Sequence, residues 1–117
     1  MPGVFELKQT NNGQFMVNLR AGSGEIILTS PLYRTKIHAE EAIGSTRANA
    51  PLDARYERRT ANPGEPYFVL KTATGEVLGR SELYSSEQAM ENGIASVQRN
   101  APDARTRDLS AGLAGAH

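Results

Sequence analysis

The sequence contains no cysteine, so no disulfide framework, thiolate nucleophile or thiolate-bound zinc can be built from it. Tryptophan is also absent, and neither sign of charge is in excess: thirteen Lys and Arg balance thirteen Asp and Glu. That balance removes a global electrostatic pull toward nucleic acid or anionic lipid. No apolar run approaches a membrane span, and the opening MPGVFELK lacks the basic stretch and apolar core of a signal peptide. A soluble cytoplasmic protein is expected. Histidine is scarce, with His38 the only internal one, and no Ser-His-Asp spacing surrounds it. The three aspartates, Asp53, Asp103 and Asp108, form no cluster with metal-ligand spacing. Gly22-Ser23-Gly24 lacks the Lys-Ser/Thr ending of a phosphate loop and reads as a hairpin turn. No catalytic residue, metal ligand or cofactor is therefore assigned, and the chain reads more readily as a non-enzyme.

What the chain does have is a repeat. Phe5 aligns with Tyr56, and an offset of 51 holds without a gap to Pro51 and Pro102, with 15 of 47 positions identical. The densest identities lie in SPLYRTKIHAEEAIGSTRANAP (30–51) and SELYSSEQAMENGIASVQRNAP (81–102). One residue then drops out, so that Asp53-Ala-Arg55 matches Asp103-Ala-Arg105. Two copies are too few for a solenoid. A pseudo-twofold pair, 5–54 and 55–109, within one compact domain is the simpler organisation. Residues 110–117 are expected to form a disordered tail.

Within each copy the patterns predict three strands and a helix. Phe5–Gln9 and Phe15–Arg20 alternate apolar and polar residues. Asn11-Asn12-Gly13 suggests a type I′ turn between them, and Asn62-Pro63-Gly64 a type II turn in the second copy. Ile26–Thr29 and Val77–Arg80 make short third strands. Helices are predicted from N-caps at Thr35 and Ser86, with Ser85–Gln88 an alternative capping box. Their apolar stripes are Ala39, Ala42, Ile43, Thr46, Ala50 and Met90, Gly93, Ile94, Val97, Ala101. Asn49 and Asn100 suit left-handed C-caps, and the prolines two residues on stop the helices. Extended segments follow at 53–60 and 103–109. One copy alone is marginal in size, whereas two sharing a sheet bury both stripes.

The pattern FELKxxxNGQFxxxLxAxxGExIL, followed by a Tyr-led helix ending in GIxSVxxNA and an Asp, resembles the YegP family. That family is a bacterial domain of unknown function (UPF0339, DUF1508), found singly or in tandem. The pattern runs over Phe5–Asn49 with Asp53 and again over Tyr56–Asn100 with Asp103. The resemblance implies an α+β fold of tandem β(3)-α-β repeats. One antiparallel sheet would carry both helices on one face, and the strands after each helix would be exchanged between halves. It supplies no catalytic residue to carry over.

Two surfaces stand out as candidates for binding. If Phe15, Val17 and Leu19 face the helices, then Met16, Asn18, Tyr67 and Val69 point away from them, with Ile27 and Leu78, and give an apolar face for a partner protein or a small flat ligand, or one that the tail covers. Alternatively, Arg55, Arg58, Arg59, Arg105 and Arg107 on the post-helix segments would form a basic stripe for nucleic acid, provided that the exchange brings them together. As charged edge strands they would instead discourage aggregation. Tyr33 and Tyr84 are expected to pack over the sheet. A monomer is expected, because the duplication supplies internally the partner that one repeat would need.

Overall fold

The computed structural model describes residues 3–110. The order is β1 (Val4–Gln9), β2 (Phe15–Arg20), β3 (Ile26–Thr29), α1 (Lys36–Asn49), a short 3-10 turn at Asp53–Arg55, β4 (Tyr56–Ala61), β5 (Glu65–Lys71), β6 (Val77–Arg80), α2 (Glu87–Asn100) and β7 (Arg105–Asp108). All seven strands form one sheet in the order β4-β5-β6-β3-β2-β1-β7. The halves meet antiparallel at β3 and β6, where Thr29 faces Arg80. Each post-helix strand pairs within the opposite repeat. After α1 the chain enters β4, which pairs with β5; after α2 it enters β7, which lies parallel to β1. That last pair is the one parallel ladder among the described residues, and β4 serves both as the exchanged strand of repeat 1 and as the first strand of repeat 2.

The helices begin where the sequence places them. Thr35 Oγ1 accepts from the His38 N–H at 3.2 Å and Ser86 Oγ from the Ala89 N–H at 3.0 Å, so Ser86 rather than Ser85 is the cap. Their ends differ from expectation. Asn49 and Asn100 stay helical and turn their amides back to the Ser45 and Ser96 carbonyls, and no described non-glycine residue has positive φ. The hairpin turns differ too. The Gly13 N–H donates to the Thr10 carbonyl at 3.1 Å and the Thr10 N–H to Gln14 at 2.7 Å, with positive φ at Gly13 alone. This is a three-residue connection closed by a glycine bulge rather than type I′. The Asn62–Pro63 bond is cis, which is not type II geometry.

The core lies between the helices and one face of the sheet, where Phe5, Leu7, Leu19, Phe68, Leu70, Ile94 and Val97 are fully buried. The repeated serines have a structural task there. Ser30 Oγ accepts from the Val17 N–H at 2.8 Å and Ser81 Oγ from the Phe68 N–H at 3.0 Å, each standing in for a ladder carbonyl where the third strand leaves the sheet. Tyr84 stacks on Phe68 with ring centroids 6.2 Å apart, and a Cβ at Gly93 would collide with its hydroxyl. The tyrosines therefore pack over the sheet as expected, and burial raises the pKa of both Tyr33 and Tyr84. The expectation of a disordered tail lies, beyond Ser110, outside the described residues.

Candidate functional site

Strand register assigns a face to every side chain, because directly paired residues point the same way. Phe5 pairs with Leu19 and Leu7 with Val17 on the helix side, so Glu6 with Asn18 and Lys8 with Met16 lie on the helix-free side. Extending the pairing gives one row across all seven strands: Glu57, Val69, Arg80, Thr29, Asn18, Glu6 and Arg107.

Of the four apolar-face candidates, only part is available. All four do lie on the helix-free side, but Asn18 and Val69 are buried by their neighbours, while Met16 and Tyr67 are half-buried. Asn18 donates to Thr29 Oγ1 at 2.9 Å. Met16 on β2 and Tyr67 on β5 are three strand spacings apart, about 14 Å across the sheet, and lie on opposite sides of the Asn18–Val69 row. Ile27 and Leu78 do not join them. Both belong to the core cluster, and Leu78 lines a small void with Ala42 and Thr46 of α1. The cause is a bulge in each half, at Leu19/Arg20 and Leu70/Lys71, which breaks the simple alternation.

The arginines are likewise not one stripe. Arg55, Arg58 and Arg59 lie at the β4 edge and Arg105 and Arg107 on β7 at the opposite edge, six strand spacings or about 29 Å away. Arg58 faces the helix side, where it donates to Glu91 at 2.5 and 3.0 Å and to Asp53 at 3.2 Å. It occupies the position that Leu7 fills in repeat 1, and an inward charge on an edge strand opposes pairing with another chain. Arg55 donates to Asn49 Oδ1 at 3.0 Å.

What the face holds instead is a charge imbalance invisible in the totals. Lys8, Arg20, Arg59, Lys71, Arg80, Arg105 and Arg107 project from it, against Glu6, Glu57 and Glu65. Six cations and ten carboxylates are left for the rest of the chain. Glu6 is 5% exposed and gathers three of the cations: Arg20 at 2.8 Å, Arg107 at 3.5 Å and Lys8 at 3.6 Å. Burial opposes its charge, but the Arg20 hydrogen bond and the surrounding cations outweigh it and hold the carboxyl below its ordinary value. Glu57 repeats this in the other half, with Arg59 at 2.7 Å and Lys71, and hydrogen bonds from the two bring its pKa down to about 2. The Arg80 guanidinium lies over the Tyr67 ring, 5.3 Å from its centroid. Among the described residues there is no group of three or more His, Asp or Glu placed to hold a metal ion, and no described helix is long and apolar enough to cross a membrane.

A two-repeat α+β module with one helix-free, basic sheet face is the class that this geometry defines. The family model described as "Domain of unknown function (DUF1508)" matches residues 10–57 and again 61–108, and the chain belongs to that family. A UPF0339 protein of Bordetella pertussis is 53% identical over 108 residues, 92% of this chain and 96% of its own. The UPF0339 protein YegP of Escherichia coli K12 is 45% identical over 108 residues, 92% and 98% of the two chains. The solution NMR structure of E. coli YegP, titled a protein of unknown function, superposes with a TM-score of 0.88 at 45% identity over 93% of this chain and 94% of that one. A UPF0339 protein of Shewanella oneidensis gives 0.88 at 44% identity, over 93% and 92%. The family carries no assigned activity.

Proposed function

We propose that this protein is a monomeric, cytoplasmic, non-enzymatic binding module whose helix-free sheet face docks single-stranded nucleic acid. The observation that carries this is seven cations against three carboxylates on one face of a chain with no net charge. A helix-free sheet face suits a strand laid across it, with phosphates on the cations and a base on Tyr67, which Arg80 already flanks. An acidic protein would meet the same charge. Against that, Met16 and Tyr67 are too far apart to supply the continuous apolar centre of a protein interface.

Titration of a labelled oligothymidylate by fluorescence anisotropy tests the proposal. Saturable binding at low salt should weaken steeply with added salt, by about 0.7 in the logarithmic slope per phosphate neutralised. Tyr67→Ala should weaken it about tenfold, the usual worth of one stacked base, and Arg80→Glu at least as much. No saturable binding at low salt, or binding that Arg80→Glu leaves unchanged, overturns the proposal.

A further inference from the structure

We infer that the groove where β7 begins, beside the β2–β3 turn, is a site for a small phosphate monoester carrying hydroxyl groups, such as a sugar phosphate or a nucleotide; it shares Arg20, Arg105 and Arg107 with the helix-free face and extends round the end of the sheet to Arg99 of α2. Its volume is about 530 Å³, within the range of small-ligand sites, and Arg20, Arg105 and Arg107 line it. A recess of about 500 Å³ adjoins it and shares Ala21, Gly22 and Asp103; Ser23, Ser96 and Arg99 line that part. Arg20 and Arg107 are engaged with Glu6. Arg99 and Arg105, by contrast, have no hydrogen bond or ion-pair partner among the described residues, so two guanidinium forks are free to take an oxyanion.

The duplication provides an internal control. At the corresponding end of the other half, Ala48 stands for Arg99 and Lys71 for Arg20, and no described strand beyond β4 takes the place of β7. Arg55, the counterpart of Arg105, is tied to Asn49, and Asp53, the counterpart of Asp103, to Arg58. The helix end and the hairpin turn recur in the other half without a described strand in the place of β7, and the arginine there, Arg55, is already engaged. The C-terminal turn of α2 borders the recess and by itself favours cations, so the attraction for an anion has to come from these side chains. Asp103 is a carboxylate with no partner among the described residues, set between the two compartments. It would repel a bare phosphate, but it can accept hydrogen bonds from hydroxyls next to one. Hence the ligand class: an anion with donors attached.

The test is a titration of the full chain, observed by amide and arginine side-chain NMR, with ribose 5-phosphate, inorganic phosphate and ribose in parallel. Ribose 5-phosphate should give saturable shifts at Arg20, Ser23, Arg99 and Arg105, binding more tightly than phosphate, with ribose weakest. Arg105→Gln should weaken it about tenfold, the usual worth of a charge-assisted hydrogen bond, while Arg55→Gln in the other half should leave it unchanged. Asp103→Asn should erase the preference for ribose 5-phosphate over phosphate. Absence of saturable shifts, or equal losses from Arg55→Gln and Arg105→Gln, overturns the inference. Ser23 and Arg99 lie off the strands of the nucleic-acid face, so ribose 5-phosphate shifts at these two residues read on the groove and not on that face.

Discussion

The two ends of the sheet start from one repeated pattern and finish differently. At one end Glu6 is buried among three cations and β7 covers β1, held from the helix side by Arg47. Arg47 donates to the Ala104 carbonyl at 3.0 and 2.8 Å and to Thr106 Oγ1 at 3.0 Å, and Lys36 pairs with Asp108. At the other end Glu57 has two cations and stays half-exposed, and no described strand lies beyond β4. Arg58 closes that edge by electrostatics, whereas Leu7 at the first end is closed by burial. Duplication alone would make a symmetric object with two equivalent ends. The difference is that the end bearing β7 depends on tertiary packing, whereas the β4 edge has no described strand beyond it and holds an inward charge.

Removal of β7 should break this comparison most severely. A chain ending at Asp103 uncovers Leu7 and leaves Glu6 without Arg107, and a loss on the order of 3–5 kcal/mol is expected, the upper range for a single structural change. Urea denaturation measures it. A loss below about 1 kcal/mol would mean that β1 needs no cover and that the two edges are equivalent.

The paired acids sharpen the contrast on a smaller scale. Glu6→Gln removes a buried carboxylate that three cations share and should cost about 1–3 kcal/mol. Glu57→Gln, at a half-exposed carboxylate screened by solvent, should leave the urea midpoint where it is. The sign of the pH effect follows from the lowered Glu6 value. Its contribution is complete above the ordinary carboxylate value near 4.5 and fades as pH falls through the lower folded value. Glu6→Gln should therefore flatten the acid side of the stability curve. Equal effects from the two substitutions would show that burial of Glu6 adds nothing.

Much of this architecture is legible in the residues. The offset of 51 aligns strand with strand, and Thr35, Ser86 and the two prolines bracket the helices closely. The face of Ile27 and Leu78 is not legible, because one bulge in each half reverses a period-two reading and bulges leave no firm local mark. The charge imbalance was within reach. Lys8, Arg20, Arg59 and Lys71 alternate in phase with Met16 and Tyr67, so the strand pattern alone puts them on the helix-free side. A search for apolar residues on that face passes over them. The location of the post-helix arginines depends on strand order, a long-range property that local sequence does not carry.

Tyr56 offers the finest test of how the halves diverged. Its counterpart Phe5 is fully buried with the Arg47 guanidinium 5.1 Å from its ring centroid. Tyr56 instead packs edge-on against Phe68 and donates its hydroxyl to the Ala50 carbonyl at 2.7 Å, tying the end of α1 to the strand that follows. Burial, with a contribution from Asp53, pushes that hydroxyl's pKa well above its ordinary value of 10. The stability that this confers is complete below pH 10 and is lost as pH rises past it, because the unfolded chain ionises there and the folded chain does not. Tyr56→Phe should cost about 1 kcal/mol at neutral pH through the lost hydrogen bond. It should also remove part of the alkaline loss, so that urea midpoints of variant and parent converge between pH 9 and pH 11. Curves that stay parallel through that range would show that the hydroxyl ionises equally in both states, and so is not held by Ala50 in the folded chain.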